Sequence, residues 1–269
     1  MSKLQVLITT MHQVDFGKYS EMNLQTDAVF ANQADRYEYS AAYIGNHNVE
    51  MITTGTRGVG KNRNIALLHA TGDILLLADD DLTYVEGYEK IILDAFEKQK
   101  DADVLIFNIE TIGKDVGRRT SKKVKRVSFL NAFNYGAVRI AIKRTSLLRE
   151  GIYFNENFGG GTMYSAGEDS LFICDLLKHK LKIYAYPEKI ATVRQFESSW
   201  FKGYTKKYFY DKGALFYALN HKLCGLLLLQ DYIRHRGLYD ESALNATTIL
   251  DLERKGTKGY RKLEPYTEN

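Results

Sequence analysis

Asp73–Leu82 reads DILLLADDDL, and this stretch decides the fold that the sequence predicts. Four apolar residues are followed by an alanine and then by three carboxylates, Asp79, Asp80 and Asp81. An apolar run bounded by polar residues is typical of a strand buried on both faces. The acids would repel one another where that strand leaves the core, and a divalent cation held by carboxylate oxygens removes the repulsion. Asp79 and Asp81 are therefore predicted to bind one metal ion, Mn²⁺ or Mg²⁺. The alternative is an acidic turn in which Asp81 or a neighbour caps the next helix.

Strands alternate with helices on both sides of this stretch. Short apolar runs predict strands at Leu4–Thr9, Asp27–Ala31, Val49–Thr53 and Ala102–Ile109, and helical spacing predicts helices at Val59–Ala70 and Val85–Lys98. This alternation indicates an α/β fold with a mostly parallel sheet flanked by helices. Ligands bind such sheets beyond the carboxyl ends of the strands, where Thr9, Thr10 and Asn32 are expected to join the aspartates.

The 269 residues are predicted to form one catalytic domain, residues 1–200, and a helical C-terminal extension, residues 201–269. Tyr204–Arg236 is aromatic, basic and apolar, and it is expected to be helical. Tyr37–Asn48 is polar and is expected to be irregular. The last fifteen residues are expected to be loosely ordered, as chain ends often are.

Composition limits the classes of function. The net charge of +4 is too weak to indicate nucleic-acid binding. The two cysteines form neither a disulfide framework nor a metal-binding spacing, which favours a reducing compartment and hence the cytoplasm. No apolar run approaches the ~20 residues that a membrane span needs.

Gly55–Asn62 reads GTRGVGKN and follows a predicted strand. It matches the GxxxxGK of a phosphate loop, but Asn62 stands where a Ser or Thr hydroxyl would bind a metal. A phosphate-loop nucleotide hydrolase and a plain glycine turn into a helix are two interpretations. In the third, Arg57, Lys61 and Arg63 face the diphosphate of a nucleotide near the start of that helix.

Three stretches occur in an order that resembles the family 2 glycosyltransferases, which have the GT-A (Rossmann-like) fold. They are VLITTM, GVGKNRNIALLHATGDILLLADDD and AGEDSLFICDLL, within Lys3–Val193. The resemblance implies an inverting transfer from a nucleotide sugar, taken to be a UDP-sugar, with a divalent metal. The family's aspartate motif falls on Asp79 and Asp81, with Asp80 between them, and its Glu-Asp pair falls on Glu168-Asp169.

The resemblance also implies a division of labour between the two acidic motifs. A metal on the aspartates would stabilise the departing diphosphate. Asp169 would accept the proton of the acceptor hydroxyl, and Glu168 would help orient the acceptor. The alternative is that both are helix-terminal acids that complement the helix dipole. Trp200 lies where family members often close the site with a mobile segment.

The resemblance places the protein in the assembly of a cell-surface polysaccharide, with a saccharide or a lipid-linked saccharide as the acceptor. The basic run Gly113–Arg126 and the segment Tyr204–Arg236 predict a peripheral contact with an anionic membrane, at its inner face. A solvated loop is the alternative for the first, and a packed subdomain or a homodimer contact for the second. A non-catalytic sugar- or nucleotide-binding module is the remaining functional alternative.

Overall fold

The computed structural model describes residues 2–113, 120–195 and 203–267. Within these ranges the strands are β1 Leu4–Met11, β2 Asp27–Gln33, β3 Glu38–Ile44, β4 His47–Thr54, β5 Ile74–Asp79, β6 Leu82–Tyr84, β7 Val104–Gly113, β8 Lys125–Arg126, β9 Ile140–Lys143 and β10 Ile183–Gln195. The helices are α1 Gly17–Glu21, α2 Val59–His69, α3 Tyr88–Lys98, α4 Arg144–Glu150, α5 Glu168–Lys178, α6 Lys206–Leu219, α7 Cys224–Tyr239 and α8 Ala246–Lys262. The predicted domain boundary near residue 200 lies outside the described ranges and stays a prediction.

The described strands form one mixed sheet in the order β3-β4-β2-β1-β5-β9-β7-β10-β6, with β8 paired to β10. Its central strands β4, β2, β1 and β5 run parallel to one another. The register sets Thr9 opposite Asp79 and Thr10 opposite Asn32, so these four residues share one edge of the sheet. The predicted α/β fold with a mostly parallel sheet is confirmed.

Strand β5 is buried on both faces, as its apolar run predicts. Leu75 and Leu77 pack in a cluster that includes Ala66 of α2 and the apolar side of α5. Leu76 lies in a second cluster on the opposite face, with Ile92 of α3. The sheet is therefore the middle layer between helices, and its polar strand ends are left for a ligand.

The structure contradicts one local prediction and one of the alternatives. Tyr37–Asn48 contains β3, which pairs with β4 in an antiparallel hairpin around Gly45. Small and polar residues in β3 hid the alternation that marks a strand. Asp81 does not cap the next helix, because β6 intervenes and Gly87 precedes α3.

The chain end also differs from its prediction, because α8 continues to Lys262. Helix α8 packs on α6 at two glycines. A Cβ on Gly213 would lie 1.9 Å from the carbonyl oxygen of Glu253, and one on Gly256 would lie 1.8 Å from that of Tyr210. Only glycine permits this approach of two backbones, so tertiary packing orders the segment. None of the described helices has the length and apolar character needed to cross a bilayer.

Candidate active site

The carboxyl ends of β1 and β5 meet through two threonine hydroxyls. Thr9 Oγ1 donates a hydrogen bond of 2.6 Å to Asp79 Oδ1. Thr10 Oγ1 donates to Asp80 Oδ2. Each hydroxyl holds one carboxylate of the aspartate run, so the two threonines fix the direction in which the motif leaves the sheet.

Arg63 joins the aspartate run to the later acidic pair. Its Nη1 lies 2.5 Å from Asp169 Oδ1 and 3.4 Å from Glu168 Oε1, and its Nη2 lies 3.3 Å from Asp79 Oδ1. The Arg63 side chain is only 5% exposed. A planar guanidinium presents several donors in fixed directions, so a single side chain orients carboxylates from two distant motifs.

Helix α2 brings Arg63 to this position because asparagines on either side of Arg63 tie the helix down. Asn62 Nδ2 donates to the carbonyl of Ala31 at 2.7 Å, which fixes α2 to the end of β2. Asn64 bonds both backbone polar groups of Phe154, with its Nδ2 donating to the carbonyl and its Oδ1 accepting from the N–H. Sequence reasoning missed Asn62, which it weighed only as a departure from a phosphate loop.

The ring of Phe154 lies beneath the guanidinium of Arg63, with 5.2 Å between the Arg63 Cζ and the ring centroid. The same ring stacks on Phe172 of α5 at 3.9 Å. Arginine binds well to an aromatic face, and this contact limits the directions that the guanidinium can take. The aromatic pair thus links the position of Arg63 to the helix that carries the acids.

Asp169 is held at both carboxylate oxygens. Its Oδ1 faces Arg63, and its Oδ2 accepts the backbone N–H of Ala137 at 2.9 Å. Asp169 and Glu168 open α5 directly after Gly167, so they also complement the dipole of that helix. The two acids therefore do lie at a helix N-terminus, as the structural alternative predicts, and they contact Arg63 as well.

The electrostatics of this cluster are set by burial and by mutual repulsion. Burial, with help from the neighbouring Asp169, raises the pKa of Glu168 to about 7, although Arg63 opposes the shift. Burial disfavours the charged form of Arg63, but Asp169, Asp79 and Glu168 together outweigh it and raise the pKa of Arg63. Glu168 therefore exchanges its proton near neutral pH, while Arg63 stays charged.

A divalent cation fits the aspartate run if a ligand helps to hold it. The described residues contain no group of three or more His, Cys, Asp or Glu side chains arranged to bind an ion. Mg²⁺ is commonly held by one or two carboxylates together with substrate phosphates. Asp81 is exposed in the turn after β5, and Asp79 is about two-fifths exposed. The two carboxylates therefore suit a site that phosphate oxygens complete.

The remaining residues predicted to bind the donor do not contact the cluster around Arg63. The Asn32 amide is fully buried and bonded to the backbone of Gln13, through both its Nδ2 and its Oδ1, and to Thr53. Arg57 is exposed and lies 2.5 Å from Asp35, and Lys61 is half-buried in the first turn of α2. Trp200 falls outside the described residues.

Part of the chain is similar in sequence to a known family and to a known enzyme. Residues 31–162 match the model of the family described as glycosyl transferase family 2. A stretch of 131 residues is 31% identical to poly(ribitol-phosphate) beta-N-acetylglucosaminyltransferase TarS of Staphylococcus aureus strain Mu50, and it covers 47% of this chain and 22% of the relative. The same identity and coverage are found with TarS of strain MW2.

Solved structures extend the likeness in fold to almost the whole chain. The crystal structure of S. aureus TarS 1–349 in complex with UDP-GlcNAc superposes with a TM-score of 0.64 at 15% identity, over 99% of this chain and 94% of that one. The complex of the same protein with UDP gives 0.62.

The family match spans Arg63 and the aspartate run, and it removes the support for a phosphate-loop hydrolase. The segment of residues 31–162 therefore belongs to glycosyl transferase family 2.

Proposed function

We propose that this protein transfers N-acetylglucosamine from UDP-GlcNAc, with inversion at the anomeric carbon, to a hydroxyl of a cell-surface polymer. The observation that carries this proposal is the bridge from Arg63 to Asp79, Glu168 and Asp169. This bridge brings the aspartate run, proposed to face the diphosphate, and the Glu168-Asp169 pair, proposed to face the acceptor, into one polar cluster. A displacement reaction requires both groups close to the reacting carbon. The relatives solved with UDP-GlcNAc and UDP support the donor.

The donor diphosphate is proposed to lie against the edge formed by Thr9, Thr10 and the aspartate run. Asp79 and Asp81 would hold Mn²⁺ or Mg²⁺, and such an ion acts as a Lewis acid toward a departing diphosphate. Lys61, in the first turn of α2, would add positive charge on the same side. Asn32 would act indirectly, by holding Gln13 in the loop after β1.

Asp169 is proposed as the general base. The acceptor oxygen attacks the anomeric carbon as the bond from that carbon to the diphosphate oxygen breaks, and the hydroxyl proton passes to the Asp169 carboxylate. Arg63 and the N–H of Ala137 hold this carboxylate in one orientation, which lowers the entropic cost of reaching a reactive geometry. Glu168, with a pKa of about 7, can hydrogen-bond the acceptor hydroxyl in either protonation state.

The acceptor is proposed to be a polyol-phosphate polymer or a lipid-linked saccharide that is completed on the cytoplasmic side of the membrane. The name of the relative gives its substrate as poly(ribitol-phosphate), which supports an acceptor of this class. Both cysteines are buried free thiols, which agrees with a reducing compartment.

The test is a transfer assay with the purified protein, a panel of UDP-sugars and both acceptor classes. We expect Mn²⁺- or Mg²⁺-dependent release of UDP from UDP-GlcNAc, and NMR of the product should give the inverted anomer. Binding of UDP-GlcNAc without transfer to any acceptor would favour the non-catalytic module. A retained anomeric configuration would contradict the role of Asp169.

A further inference from the structure

Helix α7 exposes an apolar stripe to solvent. Leu226 and Ile233 are 63% and 61% exposed, and Leu229 between them is 47% exposed. Spacings of three, four and seven residues set these side chains on one face of the helix. We call Leu226, Leu229 and Ile233 the α7 stripe. A row of three large apolar side chains in solvent on one helix is characteristic of a contact surface.

The opposite face of α7 already accounts for the packing of the helix on the protein. Cys224, Leu228 and Tyr239 are buried there. Asp231, the single acidic residue within α7, is turned inward, 2.5 Å from Lys212 of α6. The α7 stripe is therefore not needed to hold the helix in place, and the acid of the helix is not available on the outer face.

Two arginines flank the α7 stripe. At 100° per residue, Arg234 and Arg236 project to opposite sides of the line through Leu226 and Ile233. Both are exposed, and neither forms an ion pair with any residue that the structure describes. Lys222 is also exposed, just before the helix begins. Residues 203–267 as a whole carry eleven Lys or Arg against seven Asp or Glu.

We propose that the outer face of α7 docks this protein on an anionic lipid surface. The α7 stripe would enter the boundary between head groups and acyl chains, and Arg234 and Arg236 would contact lipid phosphates. An interfacial helix has this arrangement, with an apolar face, basic flanks and no opposing acid. The sequence predicts a membrane contact over two longer segments, and this proposal assigns that contact to α7. The proposal does not depend on the proposed sugar transfer.

Charge complementarity favours lipid over a second copy of this chain. A symmetric dimer through the α7 stripe would bring Arg234 and Arg236 of both copies into one interface. Within Cys224–Tyr239 the outer face of α7 offers no carboxylate to pair with them, and the exposed Asp240 follows only at the end of the helix. An unpaired charge in an apolar contact is costly. Lipid phosphates supply that missing partner.

Sedimentation with vesicles tests the proposal. We expect the full chain to sediment with phosphatidylglycerol vesicles at low salt and to be released at high salt. We expect it not to bind phosphatidylcholine vesicles. Replacing Leu226→Gln and Ile233→Gln together should lower the partition coefficient by about tenfold or more, because two apolar side chains no longer enter the lipid. The matched control replaces Leu68→Gln and Leu148→Gln, which are 69% and 60% exposed on other helices, and should bind as the unmodified protein does.

A second variant, Arg234→Gln with Arg236→Gln, should bind more weakly and lose most of its salt dependence, which keeps the test decisive if the leucine variant folds poorly. The proposal is overturned if the unmodified chain does not sediment with anionic vesicles, or if the α7 and control variants bind alike. It is also overturned if sedimentation velocity finds a lipid-free dimer that only the Leu226→Gln/Ile233→Gln variant dissociates, because the surface would then join two copies. Vesicle binding needs no nucleotide, so failure of the sugar transfer would leave this result standing.

Discussion

Two buried cations organise two regions of this molecule in different ways. Arg63 lies under the ends of the sheet, and Lys212 lies between helices α6, α7 and α8. Each faces several acids, and each rests against aromatic rings: Phe154 for Arg63, and Tyr208 and Tyr239 for Lys212. The local chemistry is nearly the same, so the two regions differ in whether solvent or a ligand can reach the acids.

Two of the three acids around Arg63 remain open to solvent, because Asp169 is 29% exposed and Asp79 is 39% exposed, while Glu168 is 14% exposed. The acids around Lys212 are closed off. Asp231 is 13% exposed and lies 2.5 Å from Lys212, and Glu253 of α8 is fully buried. Neither carboxylate oxygen of Glu253 has a hydrogen-bond partner among the described residues. Open acids can serve a reaction, whereas closed ones can only stabilise or destabilise the packing of helices.

The largest expected effect is on the reaction. Asp169→Asn keeps the shape of the side chain but removes the proton acceptor, so transfer should slow by ~10²–10⁴-fold, or roughly 3–5 kcal/mol of barrier. UDP affinity should stay near normal, because the donor contacts lie at the ends of β1 and β5. Single-turnover transfer and calorimetry measure the two quantities. Wild-type transfer by a folded Asp169→Asn variant would exclude Asp169 as the base.

The comparison itself is tested by removing each cation in turn. Arg63→Met and Lys212→Met should each lower the free energy of unfolding by roughly 3 kcal/mol, since each leaves buried acids without a partner. Only Arg63→Met should also abolish transfer in the fraction that stays folded. Denaturant unfolding and the rate per folded molecule separate the two effects. A loss of transfer in folded Lys212→Met would mean that the helical cluster also serves the reaction.

The closed cluster should respond to pH. Burial raises the pKa of Glu253 from 4.5 to about 8, against the pull of Lys212 and with the help of Asp231. The folded protein thus binds this proton more tightly than the unfolded chain, and stability falls as the pH rises from about 4.5 toward about 8. Between pH 5 and pH 7 this group should lower the free energy of unfolding by roughly 2–3 kcal/mol.

Glu253→Gln should cancel that loss, because its amide does not titrate. The measurement is the difference in unfolding free energy between wild type and variant at several pH values, which removes the contribution of all other titrating groups. A difference that does not change between pH 5 and pH 7 would contradict the raised pKa. The matched variant in the cluster around Arg63 is Glu168→Gln, because burial raises the pKa of that carboxyl as well.

The smallest expected effect concerns the metal. Asp81→Ala should lower the affinity for UDP by about tenfold in Mn²⁺ or Mg²⁺, since it removes one carboxylate from a site that phosphate oxygens complete. In excess chelator the variant and the wild type should bind UDP alike. Calorimetry under both conditions checks this. Equal wild-type affinity with and without chelator would contradict a metal at Asp79 and Asp81.

Much of the open region could be predicted from the sequence. The apolar run before Asp79 predicts a buried strand, and the alternation of strands and helices predicts the sheet that carries it. The Glu168-Asp169 pair could be singled out because it opens a helix in the order that the resemblance implies. Polarity and spacing are local signals, so the sequence alone determined the fold class and the aspartate run, and the resemblance added the Glu168-Asp169 pair.

The tertiary structure decided which of these residues meet. Arg63 was expected to face a diphosphate, yet it lies between acids that are 16, 105 and 106 residues away along the chain. The cluster of Lys212, Asp231 and Glu253 carried no recognisable motif, because its members come from three helices, of which α6 and α8 meet at glycines. Side-chain pairs at such separations depend on strand order, register and helix crossing, and periodicity along the chain contains none of these.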